Sequence, residues 1–499
     1  MSGNNGIAKL ETGIAGLDDI TLGGLPEYRS TLLAGTSGSC KTLLTLQFLS
    51  AGIVKYDHPA VFVTFEETIP DIKRNINSFG WDIDRWEKEG KFAFVDVSPD
   101  PEHETIETGQ YDFSGLLARI EHAVKKVGAK RVGIDSISST FSHFSDSGLV
   151  RKELFRIAAG LKLMDVTSII SVERTEEYGE ISRFGVEEFV ADNVMILRNT
   201  LEEEKRRRTI EILKLRGAPH QKGEYPCTIS EQGIEILPLS SLKLATESAD
   251  TRLSSGNKEL DEMCGGGHFH DSVILISGAT GTGKTLMSTT FINEGCKAGE
   301  KSLLIAFEES RAQLIRNASG WGMDLVKWEK MGLLKIICAQ PEIVGLADHL
   351  LKIKKEAHSF KPGRMAVDSL SAMERVSTGK TFREFIIGIT SFAKEKRMAS
   401  MFTAVTASLM GGTSITESHI STLTDSIILM RYVELMGQMR RGLTVLKMRG
   451  SAHDKNIREY TIDSQGFHIG KPFHNVSGIL TGTPVQLIGA ERQKLDEMF

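Results

Sequence analysis

The chain is poor in cysteine, with five in 499 residues and no Cys-x-x-Cys pair. Cys40, Cys227, Cys264, Cys296 and Cys338 are scattered without metal-ligand spacing. That argues against a disulfide scaffold and a thiolate metal site, and for a reduced, cytoplasmic setting. No apolar run is long enough to span a bilayer, and the opening MSGNNGIAKLETG lacks the apolar core of a targeting segment. No membrane association is expected. Positive charge is not in excess either. The net charge is −5, so the bulk numbers give no reason to expect nucleic acid, although a local basic groove stays open. What is present is ordinary globular material: 25% charged and 40% hydrophobic residues, enough for two to four domains.

Self-similarity is the strongest signal. Residues 12–42 read TGIAGLDDITLGGLPEYRSTLLAGTSGSCKT, and residues 255–285 read SGNKELDEMCGGGHFHDSVILISGATGTGKT. Gly13 and Gly256, Leu17 and Leu260, Asp18 and Asp261, and Lys41 and Lys284 all stand 243 residues apart. The match continues through VFVTFEET and LLIAFEES, VGIDSISS and MAVDSLSA, and KLRG and KMRG. The chain is therefore two copies of one domain. The expected boundaries are 1–240 for the first copy, 241–252 for a polar linker, 253–482 for the second copy and 483–499 for a short tail.

Strand-like segments in the first copy are STLLAG, AVFVTF, RVGIDS, TSIISV, NVMILR and TIEILKLR, with helical patterns such as ELFRIAAGLKLM between some of them. The alternation predicts an α/β fold, a mainly parallel sheet covered by helices. The last two strands, joined by EEEKRRR, read as an antiparallel hairpin at the sheet edge. The basic run there reads as a solvated tip balanced by its glutamates, and nucleic-acid binding is not expected.

GATGTGKT in the second copy completes the G-x-x-x-x-G-K-T spacing after an apolar strand and before a helix. A glycine-rich turn lets backbone N–H groups surround phosphate oxygens at a positive helix end. Lys284 is expected on the outer phosphates, and Thr285 on Mg²⁺. The first copy has GTSGSCKT, where Cys40 replaces Gly283 and would crowd the β-phosphate. Glu66-Glu67 and Glu308-Glu309 each end a strand, where one of each pair could activate a hydroxyl or a water. Asp135 and Asp368 follow the strands VGID and MAVD, the Walker B arrangement for Mg²⁺. Lys214 and Arg216, like Lys447 and Arg449, share one strand face near the sheet edge. They read as fingers reaching a neighbouring subunit's nucleotide.

From Asp135 onward the copies stand 233 residues apart. The second copy then carries SITESHISTLTDS where the first has ISRFGVEEFVADN. Ser421 and Thr422 face Glu188 and Phe189, so hydroxyls cluster in one copy only and become candidate phosphosites.

The segments TFEET, FEESRAQL, SRFGVEEFV, RGAPHQKGEYP, DEMCGGG, GATGTGKT, TESHISTLTD and KMRGSAHDK resemble the KaiC family of clock ATPases and autokinases over nearly the whole chain. The resemblance implies two tandem RecA-like P-loop domains, and a homohexamer of two stacked rings with ATP and Mg²⁺ at its subunit interfaces. The first ring would hydrolyse ATP slowly. The second would phosphorylate and dephosphorylate its own Ser421 and Thr422. Carried over by residue, Thr36, Ser37, Gly38, Ser39, Cys40, Lys41, Thr42 and Leu43 would hold nucleotide in the first copy, with Ser78, Lys214, Leu215, Arg216 and His220. Thr280, Gly281, Thr282, Gly283, Lys284, Thr285 and Leu286 would do so in the second, with Trp321, Arg441, Lys447, Met448 and Arg449. Thr42, Asp135, Thr285, Glu308 and Asp368 would serve Mg²⁺, and Arg375 a phosphate. Glu66 and Glu67 would serve hydrolysis, and Glu308 and Glu309 phosphotransfer. Glu417 stands after Thr416 where the family usually has aspartate. The short tail argues against control by KaiA, whereas nothing obvious forbids a KaiB-like partner on the first ring. The competing readings are a RecA- or DnaB-like motor stimulated by single-stranded DNA and a first ring that only scaffolds.

Overall fold

A computed structural model describes residues 7–98, 113–138, 147–182, 187–202, 204–238, 249–406, 420–474, 476–479 and 485–486. Thr416, Glu417, most of the expected linker and most of the expected tail lie outside these residues. The chain divides into two compact units, Met1–Ser241 and Leu242–Phe499.

The first unit holds β1 (Ser30–Gly35), β2 (Ala60–Thr64), β3 (Phe92–Asp96), β4 (Arg131–Asp135), β5 (Thr167–Glu173), β6 (Asn193–Glu202), β7 (Lys205–Leu215), β8 (Glu224–Ser230) and β9 (Gly233–Ile236). They form one sheet in the order β9-β8-β7-β6-β1-β5-β4-β2-β3. β1 to β6 are parallel, and β6 to β9 are antiparallel. The strands are apolar almost throughout because both faces are covered. Leu33, Phe62 and Ile169 bury on one face against Leu44 and Phe48 of α1 (Lys41–Tyr56). α2 (Ile69–Ile76), capped by Thr68, begins after β2. Leu32, Val61 and Ile170 bury on the other face against α3 (Ser114–Val127) and α4 (Ser147–Leu163). A short α5 (Glu187–Val190) precedes β6.

The expected hairpin is β6–β7, with Glu202 opposite Lys205. Its charges balance locally, for Arg207 pairs with Glu202 at 3.0 Å and Arg198 with Glu211 at 2.6 Å. β8 and β9 continue the antiparallel side, so the strand carrying Lys214 is flanked on both sides over part of its length, and Arg216 stands in the turn just after it.

The second unit repeats the first. It holds β10 (Val273–Gly278), β11 (Ser302–Ala306), β12 (Leu334–Cys338), β13 (Arg364–Asp368), β14 (Ala399–Val405), β15 (Ser426–Leu435), β16 (Gln438–Met448), β17 (Arg458–Asp463) and β18 (Gly466–Pro472). The order, β18-β17-β16-β15-β10-β14-β13-β11-β12, is that of the first sheet. α6 (Lys284–Lys297), α7 (Arg311–Gly320) and α8 (Ile420–Leu423) correspond to α1, α2 and α5.

Each unit buries one arginine at the start of the strand that ends in the Walker B aspartate. Arg131 donates to the carbonyls of Thr12 (3.1 Å), Phe48 (2.9 Å) and Glu11 (2.7 Å). Arg364 donates to Ser254 (2.7 Å) and Phe291 (3.3 Å), and pairs with Glu300 at 2.7 Å. Both arginines pin the segment before the first strand to the phosphate-loop helix. Among the described residues no helix is long and apolar enough to cross a membrane.

Candidate functional site: two phosphate loops at the strand ends

Each loop bridges the central strand and the helix behind it. β1 ends at Gly35 and α1 begins at Lys41; β10 ends at Gly278 and α6 begins at Lys284. The lysines fold back onto the loop. Lys41 Nζ donates to the carbonyls of Gly35 (2.9 Å) and Thr36 (3.0 Å), and Lys284 Nζ to those of Gly278 and Ala279 (2.8 Å each). Burial lowers both ammonium pKa values. Asp135 and Glu173 oppose that for Lys41, and Asp368 and Glu308 for Lys284. Within the loops, Ser39 Oγ donates to Thr36 (2.7 Å) and Thr282 Oγ1 to Ala279 (2.8 Å).

Cys40 and Gly283 both adopt left-handed backbone, at φ 74° and φ 99°. Glycine does so freely, whereas an L-residue there costs about 1 kcal/mol. Burial raises the Cys40 thiol pKa, and the adjacent Arg208 guanidinium pulls it down. Arg208 therefore lies against the loop, so the hairpin's basic run is not wholly a solvated tip.

A cleft of about 270 Å³ opens beside the first loop. Ser37, Gly38, Cys40, Lys41, Thr42, Glu66, Glu67 and Asp135 line it, joined by Glu173. Strand order causes this convergence, because β1, β5, β4 and β2 are parallel neighbours whose carboxyl ends open on one edge. In the second copy Thr285 Oγ1 donates to Asp368 Oδ2 at 2.5 Å, and Asp368 also accepts from Thr403. A hydroxyl and a carboxylate beside an ammonium form a hard-oxygen donor set suited to Mg²⁺.

The second glutamate of each strand-end pair is held alike in both copies. Glu67 accepts from Asn75 at 3.3 Å and Glu309 from Asn317 at 3.0 Å. Burial raises both carboxyl pKa values, helped by the negative charge of Asp135 and Asp368 respectively. Glu308 accepts from Ser369 (3.1 Å) and from Arg375. The asparagines follow their glutamates by eight residues in each copy, a repeated spacing that could have revealed them in the sequence.

The basic pairs have definite partners within the chain. Lys447 Nζ donates to the carbonyls of Ser421 and Thr424 (2.7 Å each), and Arg449 to that of Thr422 (2.9 Å). Arg449 also faces Asp425 at 3.5 Å. Lys214 makes the equivalent bonds to Ala191 (2.8 Å) and Glu188 (3.4 Å), and Arg216 faces Asp192 at 3.3 Å. These cations thus hold the carbonyl end of α8 and α5, where cations are favoured. Leu215, Leu286 and Met448 are buried in the core. Trp321 packs against the core at the end of α7, and Arg441 lies 5.7 Å from the Tyr432 ring centroid. Ser78 is exposed in a short 3₁₀ turn and His220 is half-buried. The sequence reading missed Arg208, although it stands 233 residues before Arg441.

Twin strand–loop–helix units, each with a Lys-Thr pair, a strand-end Asp and a pair of glutamates, define a tandem RecA-like P-loop ATPase. The family model "ATPase: KaiC" matches residues 10–241 and again residues 253–473. The chain belongs to the KaiC family. It is 59% identical over 496 residues to circadian clock protein KaiC3 of a Synechocystis strain, covering 99% of this chain and 98% of that one. It is 54% identical over 498 residues to the circadian clock oscillator protein KaiC of Parathermosynechococcus lividus (100% and 92% covered). With that of Synechococcus elongatus it shares 52% identity over 497 residues (100% and 96%).

Proposed function

We propose that this ATPase also phosphorylates itself on Ser421 and Thr422, as part of a clock or timer. One observation carries the reading: Lys447 and Arg449 bind the backbone of Ser421 and Thr422 themselves. If those cations reach a neighbour's nucleotide, the two hydroxyls travel with them to the same boundary. Ser421 is half-buried and Thr422 exposed, so both can be approached. Glu308 or Glu309 accepts the proton of the attacking hydroxyl, and Lys284 holds the outer phosphates. Thr285 and Asp368 in the second copy, and Thr42 and Asp135 in the first, hold Mg²⁺, with Glu308 at the shell of the second. Bound there, Mg²⁺ offsets phosphate charge.

The same reading makes the assembly a homohexamer of two stacked rings, with nucleotide between subunits and hydrolysis in the first ring by Glu66 and Glu67. The second ring also removes the phosphates from Ser421 and Thr422. A KaiB-like protein is a partner for the first ring, and the cytoplasm is the compartment. The relatives named for circadian clocks support the timer role.

Incubation with γ-labelled Mg-ATP tests this. Label is expected on the wild-type chain and absent from Ser421→Ala/Thr422→Ala, with free phosphate released by both. Released phosphate with an unlabelled wild-type chain sinks the autokinase reading and leaves a plain ATPase.

A further inference from the structure

We propose that Glu177 is a positioning residue for the first ATP site, bracing a phosphate loop whose own sequence does not secure its shape. Both carboxylate oxygens are engaged. Oε1 accepts from the Thr36 hydroxyl at 2.6 Å and Oε2 from the Asn199 backbone N–H at 2.9 Å. The Glu177 carbonyl accepts from Arg174 (3.1 Å) and Arg198 (3.2 Å), which fixes the residue itself. Asn199 extends the grip, its Nδ2 donating to the Gly38 carbonyl at 3.3 Å. The loop is thus held at Thr36 and at Gly38 from the connection after β5 and from β6.

The second copy shows why the first needs this. Ala279 stands in the place of Thr36 and has no hydroxyl to offer. Gly283 adopts its left-handed backbone without a side chain, whereas Cys40 does so with one. Tyr460 supplies the brace there, donating to the Thr282 carbonyl at 2.6 Å. A loop with Cys40 spends part of its binding energy on being held, and Glu177 supplies that hold before nucleotide arrives. Charge assistance strengthens the Thr36 bond.

The inference rests on the first copy binding nucleotide, and the test separates the two. The full chain with Lys284→Ala, which disables the second loop, is titrated with a fluorescent ADP analogue and Mg²⁺. Binding by this parent is expected, and a parent that does not bind overturns both readings. Glu177→Ala is expected to weaken binding about tenfold, the scale of one hydrogen bond to a charged group. Glu177→Gln keeps one acceptor but loses the charge, and is expected to fall between the parent and Glu177→Ala. Cys40→Gly added to Glu177→Ala is expected to recover most of the loss, because the relaxed loop no longer needs bracing. A general structural defect would not be repaired there. In turnover, KM is expected to rise while kcat stays within about twofold. Thr36→Ala breaks the same bond from the other side and should reproduce the binding loss if Glu177→Ala folds poorly. Unchanged binding in Glu177→Ala and Thr36→Ala, or a loss that Cys40→Gly leaves unrepaired, overturns the proposal. A parent that binds the analogue without hydrolysing ATP removes hydrolysis from the first copy, and the brace is still read from binding.

Discussion

His268 carries a cost that the chain's own repeat measures. It is fully buried, and neither ring nitrogen has a hydrogen-bond partner among the described residues. Burial pushes its pKa down to about 4, so the folded ring is neutral. The residue 243 positions earlier is Leu25, also buried. His268→Leu is therefore expected to stabilise the second unit by about 1–2 kcal/mol, read as a higher melting temperature. The sign of the pH dependence follows from the depressed pKa. Between the unfolded value near 6.5 and the folded value near 4 the unfolded chain binds more protons, so wild-type stability falls as pH drops through that window. The advantage of His268→Leu should widen between pH 7 and pH 4. A gap that stays constant would mean that this histidine does not titrate on unfolding. Motif spacing made the residues of the two loops legible in the sequence. It hid Glu177, in the connection after β5, and Asn199 and Arg208, on β6 and β7, which have no fixed interval from the loop. The fold alone brings them there.

At the scale of elements, a glycine inside each phosphate-loop helix runs against helix propensity for a packing reason. A Cβ on Gly52 would lie 2.5 Å from the Arg131 side chain, and one on Gly295 would lie 2.6 Å from Arg364. In an ordinary exposed helix, Gly→Ala gains up to about 1 kcal/mol. Here Gly52→Ala and Gly295→Ala are expected to lose about 2–3 kcal/mol in denaturant titration, because each displaces a buried guanidinium from its carbonyls. A gain in stability would show the arginine free to move aside. The strands flanking the loops were readable as apolar runs between turns. β3, FAFVD, is not among the expected strands; it follows directly on the charged stretch EKEGK. β8 was passed over because Pro226 interrupts it. Pro226 is tolerated because it pairs with Thr209 on one side, while pairing with β9 begins only at Cys227.

At the scale of the whole molecule, internal repetition made the architecture legible, for two sheets of one strand order follow from two segments of one sequence. What repetition could not supply is where the copies differ. The hydroxyl cluster has no counterpart in the first copy, and Thr416 and Glu417 in it lie outside the described residues. The proposed reach of Lys447 and Arg449 to another subunit's nucleotide requires a neighbour, and mixing subunits tests that. A chain with Lys284→Ala lacks the second loop, and a chain with Arg449→Ala lacks the second finger. Each alone is expected to label Ser421 and Thr422 poorly with γ-labelled ATP. Mixed assemblies should recover labelling, because an intact loop then meets an intact finger across some boundaries. Recovery that fails to exceed the separate chains would mean that each subunit serves its own nucleotide.

Cys40 gives the molecule an asymmetry of a chemical kind. Its thiol stands in the first phosphate loop, partly open to solvent, while the second loop has no cysteine; Cys227, Cys264 and Cys296 are buried, and the other partly exposed thiol is Cys338 at the end of β12. With Cys338 replaced by serine, a maleimide contends with nucleotide at the first copy's cleft alone. Protection of Cys40 then makes a clock-family ATPase with two similar sites report the occupancy of one of them.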